Sequence, residues 1–381
     1  MRIALVTPYG VKCGISTYSE HLARELSKEH EVVIFAEDYI GNSQDEFKTD
    51  LKVVRCFNRN YPDQRLLEAL RFFNPHTIHI QHEYGIFKGL TESLMEVASQ
   101  FVGRTVITLH TVKTGDKFDL QDCAQYSIVH KISGKEHLVE KEEMNPDRIV
   151  VIPHGTLVLP QIPSKVAKLK LGLPLDRKII LSHAFLGRRK NIDKIIRAVA
   201  DLKNELPIYY VHVGEVHPHS SQKEGKAYLR ECLNLIEELD VGSDVKIIPK
   251  FVPDKELAYY LNASDVIVTL ENSILPNIAA SGIMHTIVPN KPVIASNVDN
   301  FDEFPRDAFY RLNPEGDLLH LALRDVLTNP ELSNRLNESL LQYAEGTSWD
   351  RIAEEHVKLY HRCLRTPWDR PYLLPTQKAV H

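Results

Sequence analysis

Short apolar runs rich in β-branched residues alternate along the first half of the chain with longer segments whose apolar residues recur at helical spacing. The runs lie at 3–7, 32–36, 51–54, 77–81, 105–109, 128–132 and 149–152, and the first helical segment lies at 15–27. Strands that are apolar on both faces need helices on both sides of their sheet. The pattern therefore predicts an α/β domain built on a doubly wound parallel sheet.

This alternation breaks at a proline-containing, lysine-rich stretch between 157 and 174 and then resumes. The second series predicts strands at 179–181, 208–213, 245–248, 266–270 and 292–295, and helices at 192–202, 227–239 and 256–261. Two cores also suit a chain of 381 residues, since single cores stop growing near about 250 to 300 residues. We predict two Rossmann-like domains joined by a linker and followed by a helix that crosses back toward the first domain and a tail. Their bounds are 1–160 for the first domain, 161–176 for the linker, 177–345 for the second domain and 346–381 for the closing segment.

Composition narrows the class of protein. The chain is 43% hydrophobic and 25% charged, and its formal net charge of −5 argues against a protein held on nucleic acid or an anionic membrane by its overall field. No window reaches the roughly 18 consecutive apolar residues of a membrane span. These features predict a cytoplasmic enzyme, and they leave its oligomeric state open.

Metal and disulfide sites are not predicted. The five cysteines are scattered and form no Cys-x-x-Cys pair. His217 and His219 resemble a metal pair in composition, but no third ligand lies at a suitable spacing.

A phosphate site is predicted in the second domain. Ser281 and Gly282 stand at the predicted start of a helix, whose first amides lack internal partners and carry the positive end of the helix dipole. Upstream, Lys190 follows a strand and opens another helix, and Arg188 or Arg189 can add a bidentate contact. A solvated basic run is the usual alternative. The position of these residues favours a clamp for a nucleotide diphosphate.

The turn after the first strand places Gly14 at a helix start, where a ligand can approach the backbone closely. It lacks the Gly-x-Gly-x-x-Gly pattern, so a dinucleotide site is disfavoured. A tight turn that needs a glycine is the structural alternative.

Polar side chains also follow other strands of the first domain. His82, Glu83 and Tyr84 follow the fourth apolar run, and His110 follows the fifth. Because carboxyl ends of parallel strands meet at one edge, these residues converge. We interpret His110 as functional, since a histidine there can hydrogen-bond a substrate hydroxyl or a developing charge. For His82 and Glu83 a structural role is an equal alternative, as it is for His154, where the first domain passes into the second.

Nearly the whole chain resembles the GT-B glycosyltransferases, particularly retaining family 4. The resemblance is carried by 14–18, 81–87, 108–111, 151–155, 189–191, 213–214, 263–266, 291–296 and 347–353. It implies two doubly wound Rossmann-like domains that face a central cleft, with the acceptor bound by the first domain and a nucleotide sugar by the second.

The resemblance further implies metal-independent transfer of a hexose-type sugar from a UDP- or GDP-sugar to an acceptor hydroxyl, with retention and without a cofactor. Lys190 would neutralise the leaving diphosphate, the amides of Ser281 and Gly282 would hold it, and His110 would touch the donor sugar. Gly14 and Arg189 would lie on the phosphate side. The acceptor side would comprise Tyr18, His82, Glu83, Tyr84 and His154.

Two positions depart from the family pattern. The usual pair of glutamates falls on Asn277 and His285, and Ala184-Phe185 replaces the usual Gly-Arg before the clamp lysine. His285 becomes a candidate ribose contact, and Glu271 a candidate replacement carboxylate. The departures keep two alternatives open, a non-catalytic nucleotide-sugar-binding protein and another GT-B enzyme such as a sugar epimerase. The acceptor is also open among a saccharide, a lipid-linked glycan, a small metabolite, a protein and a modified nucleic-acid base.

Overall fold

The computed structural model of the chain describes residues 1–38, 49–59, 64–87, 91–113, 124–216, 222–272, 278–287 and 291–366. Contacts between Cα atoms divide the chain into two compact units. Unit 1 comprises Met1–Gly155, Leu275–Ala280 and Trp349–His381, and unit 2 comprises Thr156–Ile274 and Ser281–Ser348. The chain therefore makes a short excursion from unit 2 into unit 1 that the predicted domain bounds do not include.

The strands of the described residues follow the predicted alternation with helices. In chain order they are β1 (Arg2–Thr7), β2 (Glu31–Glu37), β3 (Lys52–Phe57), β4 (Thr77–His82), β5 (Thr105–Leu109), β6 (Thr111–Val112), β7 (Tyr126–Val129), β8 (Ile149–Val151), β9 (Leu157–Val158), β10 (Lys178–His183), β11 (Ile208–Val213), β12 (Val245–Ile248), β13 (Val266–Thr269), β14 (Ile278–Ala279), β15 (Thr286–Ile287), β16 (Val293–Ser296) and β17 (Tyr310–Leu312). The helices are α1 (Gly14–Leu26), α2 (Arg65–Phe73), α3 (Tyr84–Phe87), α4 (Thr91–Gln100), α5 (Ile132–Glu140), α6 (Ser164–Leu171), α7 (Ile192–Leu202), α8 (Gln222–Glu238), α9 (Asp254–Ala263), α10 (Leu319–Thr328), α11 (Pro330–Gly346) and α12 (Trp349–Arg365). Within these ranges, no helix is both long and apolar enough to cross a membrane.

Unit 1 is centred on a parallel sheet with the strand order β3-β2-β1-β4-β5-β7-β8. Successive side chains of β1 point to opposite faces, and both faces are buried: Ala4 and Val6 enter one apolar cluster, while Ile3 and Leu5 are fully buried as well. The chain runs from β1 outward to β3 and returns at β4. The strand order of unit 1 therefore reverses between β1 and β4, where open α/β sheets bind their ligands.

Two helices from opposite ends of the chain pack together in unit 1. Helix α1 buries Tyr18 and Leu22 on one stripe, and α12 buries Ile352, His356 and Tyr360 at the same spacing of four residues. The two helices contact each other. The closing helix thus completes the fold of unit 1.

Unit 2 repeats this arrangement around a parallel sheet with the strand order β12-β11-β10-β13-β16-β17. On β10, Ile179 and Leu181 belong to one apolar cluster and Ile180 belongs to another, so the sheet is buried on both faces. The chain runs outward from β10 to β12 and returns at β13. In unit 2 the reversal therefore lies between β10 and β13.

The structure corrects the predicted linker. Within 161–176 lies the helix α6, which packs on α9, and the Ile162 amide donates to the Asn262 side-chain oxygen at 2.9 Å. This stretch is a packed part of unit 2. In unit 1, the strand predicted at 128–132 ends at Val129 instead, because Ile132 already begins α5.

Two short ribbons add pairings that the sequence pattern did not predict. Strand β14 pairs antiparallel with β6 in unit 1, and β15 pairs parallel with β9 in unit 2. Each strand has only two residues, so no periodicity marks it. Of the residues that the sequence analysis singled out, His217, His219 and Asn277 lie outside the described ranges.

Candidate functional site

His110 lies directly after β5, at the carboxyl edge of the unit 1 sheet. Its Nε2 is 2.9 Å from the Gln81 carboxamide oxygen, so Nε2 carries the proton, and its Nδ1 faces His130 Nε2 at 3.4 Å without a proton between them, because His130 Nδ1 donates to the Ile152 carbonyl. Burial, followed by the neighbouring His130 and His154, holds the pKa of His110 well below its usual range. The structure thus presents a neutral imidazole that is oriented by the hydrogen bond of its Nε2 to Gln81.

Tyr18 forms the centre of an aromatic cluster, contrary to the expected acceptor contact. It is 1% exposed, and its ring centroid lies 4.9 Å from that of His110 and 5.0 Å from that of His154. Its hydroxyl lies 3.4 Å from His356 Nε2, and burial raises its pKa. A side chain this buried supports the neighbouring rings and does not face an acceptor. His154 is half-buried at the edge of the cluster, with Nδ1 2.8 Å from the Gly155 carbonyl oxygen.

Of the residues after β4, His82 belongs to the core. It is 3% exposed, and its ring stacks on that of Phe87 with 5.7 Å between the ring centroids. Burial lowers its pKa to about 4. An acceptor role for His82 is therefore not supported. Glu83 is half-buried and accepts from the Thr111 hydroxyl at 2.8 Å, and burial raises its pKa. Tyr84 is half-buried as well, with Lys113 Nζ 5.6 Å from the centroid of its ring.

A small cavity adjoins His110 within unit 1. Its volume is about 10 Å³, which is room for about one water molecule. The polar side chains of its lining are those of His110, His130 and Lys131, and residues 278–280 also line it. The excursion of the chain into unit 1 thus reaches the surroundings of His110.

Gly14 begins α1, as predicted, and apart from its two chain neighbours and the adjoining backbone of α1, no described heavy atom lies within 4 Å of the position that a Cβ atom would take there. This space permits the close approach of a ligand that the sequence suggested. The role of Gly14 at a phosphate stays a prediction.

In unit 2, Lys190 and Glu271 meet at the reversal of strand order. Lys190 ends a 3₁₀ turn after β10, and Glu271 lies two residues after β13. Lys190 Nζ donates to Glu271 Oε1, and the two side chains are 21% and 3% exposed. The predicted clamp lysine and the predicted replacement carboxylate are therefore ion-paired, with the lysine the more accessible partner.

The Glu271 carboxylate collects further donors from two other segments. The Ser281 hydroxyl lies 3.5 Å from Oε1, and the Asn300 amide donates to Oε2 at 3.1 Å. The Glu271 backbone amide donates to the Ser296 hydroxyl at 2.9 Å. Asn300 was not anticipated, although its place just beyond the predicted strand at 292–295 is the available signal. We name Lys190, Glu271, Ser281, Ser296 and Asn300 the carboxylate cluster.

The two arginines before Lys190 do not join this cluster. The Arg188 side chain is exposed, donates to Glu231 and lies 5.5 Å from the Tyr228 ring centroid. The Arg189 side chain is exposed too, while its carbonyl oxygen accepts from the Asn272 amide at 3.1 Å. A phosphate contact of Arg189 stays a prediction.

The predicted helix at Ser281 and Gly282 is wrong. Gly282–His285 is a single 3₁₀ turn that leads directly into β15. Four residues lack the aligned peptide dipoles that make a helix start attractive to phosphate. Ser281 contributes its side chain to the carboxylate cluster instead.

His285 lies in the interior of unit 2. It is 1% exposed, its Nδ1 lies 2.9 Å from the Thr156 hydroxyl, and its Nε2 lies 3.4 Å from Glu303. A ribose contact would require this histidine to leave Thr156 and Glu303. The expectation is corrected to a structural role that ties Thr156 to the turn after Ser281.

Buried histidines predict acid sensitivity. Burial lowers the pKa of His212 to about 3, so it stays neutral in the folded protein while the unfolded chain protonates it below about pH 6.5. The unfolded state then binds more protons, so stability falls as pH falls from about 6.5 toward 3, by about 1.4 kcal/mol per pH unit. His212→Asn retains a group that can bond the Ser182 hydroxyl, now 2.7 Å from Nδ1.

We expect the unfolding free energy of His212→Asn to decrease less steeply on acidification than that of the wild type, by about 1.4 kcal/mol per pH unit. Urea denaturation at pH 7, 6 and 5 measures this slope. The exposed His361 on α12 gives the control variant His361→Asn, which should leave the slope unchanged. Equal slopes in the wild type and His212→Asn would contradict the expectation.

Two models of known protein families match the chain. The family model described as Glycosyltransferase Family 4 matches residues 13–156, and the one described as Glycosyl transferases group 1 matches residues 165–341. The chain belongs to the group 1 glycosyltransferases of the GT-B fold. The first match covers most of the first segment of unit 1, and the second covers most of unit 2.

Solved structures show the same fold. A glycosyltransferase from Rickettsia africae has a TM-score of 0.74 at 17% identity, covering 96% of this chain and 99% of its own. Anabaena HepE, solved with UDP and glucose, has a TM-score of 0.69 at 14% identity, covering 95% of this chain and 99% of its own. The predicted GT-B fold of this glycosyltransferase is confirmed.

A curated relative is more specific in name. The D-inositol 3-phosphate glycosyltransferase of Kineococcus radiotolerans is 23% identical over 258 residues, which are 64% of this chain and 58% of the relative. The match thus spans less than two thirds of the relative's length. In the part of this glycosyltransferase that the structure describes, no group of three histidine, cysteine or acidic side chains is placed to hold a metal ion.

Proposed function

We propose that this glycosyltransferase moves a hexose from a UDP- or GDP-sugar to an acceptor hydroxyl, with retention of anomeric configuration and without a metal ion or cofactor. The observation that carries the proposal is the Lys190 ammonium at the reversal of strand order in unit 2. Nucleotide ligands of open α/β sheets bind at this point. The composition favours a cytoplasmic enzyme.

The role of Lys190 follows from the charge that develops during transfer. As the bond to the anomeric carbon breaks, the sugar becomes oxocarbenium-like and negative charge builds on the diphosphate. A fixed ammonium stabilises that charge more in the transition state than in the ground state. Lys190 is 21% exposed, so it has access to a ligand, and the carboxylate cluster fixes its position.

A uridine nucleotide is the first donor to test, because HepE was solved with UDP and glucose. We assign nucleotide binding to unit 2 and acceptor binding to unit 1, where Glu83, Tyr84 and His154 remain partly accessible beside His110. An inositol phosphate is the first acceptor to test, because it is the substrate in the name of the curated relative. Other saccharides and polyols follow.

A non-catalytic nucleotide-sugar-binding protein is the second candidate. It is favoured by the burial of His285, since this position carries a glutamate in the family pattern and here holds a buried histidine that lies 2.9 Å from the Thr156 hydroxyl. Such a protein would bind the nucleotide sugar and release no diphosphate.

The proposal is tested by thermal stabilisation with nucleoside diphosphates and nucleotide sugars, followed by assays of diphosphate release with acceptor pools. Release in step with a new glycoside, unaffected by EDTA and with retained configuration by NMR, is the expected result. Binding without release would support the second candidate. Loss of activity with EDTA would contradict the proposal that the transfer needs no metal ion. The absence of any thermal shift would contradict nucleotide binding.

A further inference from the structure

Glu271 is a nearly buried carboxylate whose ionic partner among the described residues is Lys190. Its other donors are neutral, namely the Ser281 hydroxyl on Oε1 and the Asn300 amide on Oε2. A buried carboxylate is costly unless it is paired and hydrogen-bonded. The cluster satisfies this requirement from three separate segments of unit 2.

The two oxygens of Glu271 have different surroundings. Oε2 is held by Asn300, which is itself 5% exposed, and the Glu271 backbone is held by the Ser296 hydroxyl. Oε1 meets Lys190 and Ser281. The carboxylate is thus anchored through its backbone and Oε2, and Oε1 acts as a fixed negative point for the ammonium.

An anion in this place has two opposite effects on a diphosphate. It fixes one of the three N–H donors of Lys190 and so limits where the ammonium can lie. It also competes with the diphosphate for the same cation, because like charges close together in a poorly solvated site repel. The first effect favours turnover, and the second weakens binding.

We propose that Glu271 is a positioning residue of the donor site that orients Lys190 and, through its own negative charge, keeps the affinity for nucleoside diphosphate low enough for product release. The inference rests on the proposed function. It adds a residue outside the family's usual glutamate pair, in a role opposite in sign to that of Lys190.

A second ion pair in the same sheet supplies a matched control. Asp265 lies at the amino end of β13, where it accepts from the Ile179 amide at 2.8 Å and lies 3.4 Å from Lys168 Nζ. Asp265 and Glu271 thus lie at opposite ends of the same strand, β13. The change of carboxylate to amide is identical at both positions, and only the Glu271 edge faces the proposed donor site.

The test measures UDP and GDP affinity by isothermal titration for the wild type, Glu271→Gln and Asp265→Asn at low and high salt. We expect Glu271→Gln to bind the preferred nucleotide about tenfold more tightly, with a steeper salt dependence, and to show a kcat at least about tenfold lower. Asp265→Asn should lose thermal stability and keep the wild-type affinity. A purely structural Glu271 would give weaker or unchanged binding, and either result overturns the inference.

Glu271→Asp is the second variant. It keeps the charge, so its affinity should stay within about threefold of the wild type, while its kcat falls because the shorter side chain retracts the oxygen from Lys190. Tighter binding by Glu271→Asp would contradict the proposed role of charge. If the wild type binds neither nucleotide, both the proposed function and this inference fail; if it binds and turns over but Glu271→Gln binds no more tightly, only this inference fails.

Discussion

Replacing Lys190 with alanine is expected to lower kcat/KM by about two to three orders of magnitude, the scale for loss of one preorganised charge-stabilising group. Lys190 is the partly accessible cation of the carboxylate cluster, at the reversal of strand order in unit 2. The loss should appear mainly in kcat, because the charge of the leaving diphosphate is greatest in the transition state. Initial rates over a range of donor concentrations separate kcat from KM.

The neighbouring Arg188 provides the control for this variant. It carries the same charge two residues earlier, but its side chain is exposed and pairs with Glu231. Arg188→Ala should change kcat/KM by less than about threefold, since an exposed ion pair contributes little. Comparable losses in both variants would indicate a general effect of the basic run, and unchanged turnover in Lys190→Ala would remove its assignment.

Lys190→Ala also leaves Glu271 without its cation, so thermal stability must be measured beside activity. Breaking a buried ion pair from one side costs about 3 to 5 kcal/mol in the worst case. Lys190→Met restores apolar volume without charge and separates the two effects. A catalytic role requires that both variants lose turnover at temperatures where they remain folded.

The sheets of both units were predictable because their strands are continuous apolar runs. The predicted bounds 105–109, 208–213 and 245–248 are those of β5, β11 and β12. β5 is buried along its whole length and β11 at all but one residue, so local composition and burial agree there. The short strands β6 and β14 were not predictable, because a two-residue pairing depends on contacts between distant segments.

Errors in the candidate site have a related cause. Ser281 and Gly282 are small residues before a strand, and this local pattern is compatible with both a helix start and the observed 3₁₀ turn. Tyr18 and His285 are polar residues in family positions, yet both are 1% exposed. Exposure is a property of the packed chain, so residue type and spacing indicate which side chains converge but not which of them face a ligand.

The pairing of Lys190 with Glu271 was predictable from the sequence only in part. The sequence places each residue after a strand, and the rule that ligands bind at carboxyl ends brings both to one edge. The sequence does not indicate that β10, β13 and β16 are neighbours in that order in the sheet. This order brings Lys190, Glu271 and Asn300 side by side. Sheet order follows from long-range pairing and emerges only in the structure.

His110→Ala is expected to lower kcat/KM by about a hundredfold while leaving nucleoside diphosphate affinity within about threefold of the wild type. His110 lies in unit 1 and contributes a neutral, oriented imidazole. A neutral ring can exchange its hydrogen bond to Gln81 for one to a substrate hydroxyl without transfer of charge. Its removal should therefore affect turnover and not the binding of the diphosphate at Lys190.

The orientation of His110 gives a second, independent variant. Gln81 is fully buried and its carboxamide oxygen accepts from Nε2 at 2.9 Å. Gln81→Leu preserves much of the volume and removes this acceptor, so it should lower kcat by about tenfold, the factor that corresponds to the loss of one hydrogen bond of about 1.4 kcal/mol. Exposed His361 on α12 supplies the control His361→Ala.

A loss of diphosphate affinity in His110→Ala would assign this histidine to nucleotide binding, and full activity would leave it a structural member of the aromatic cluster around Tyr18.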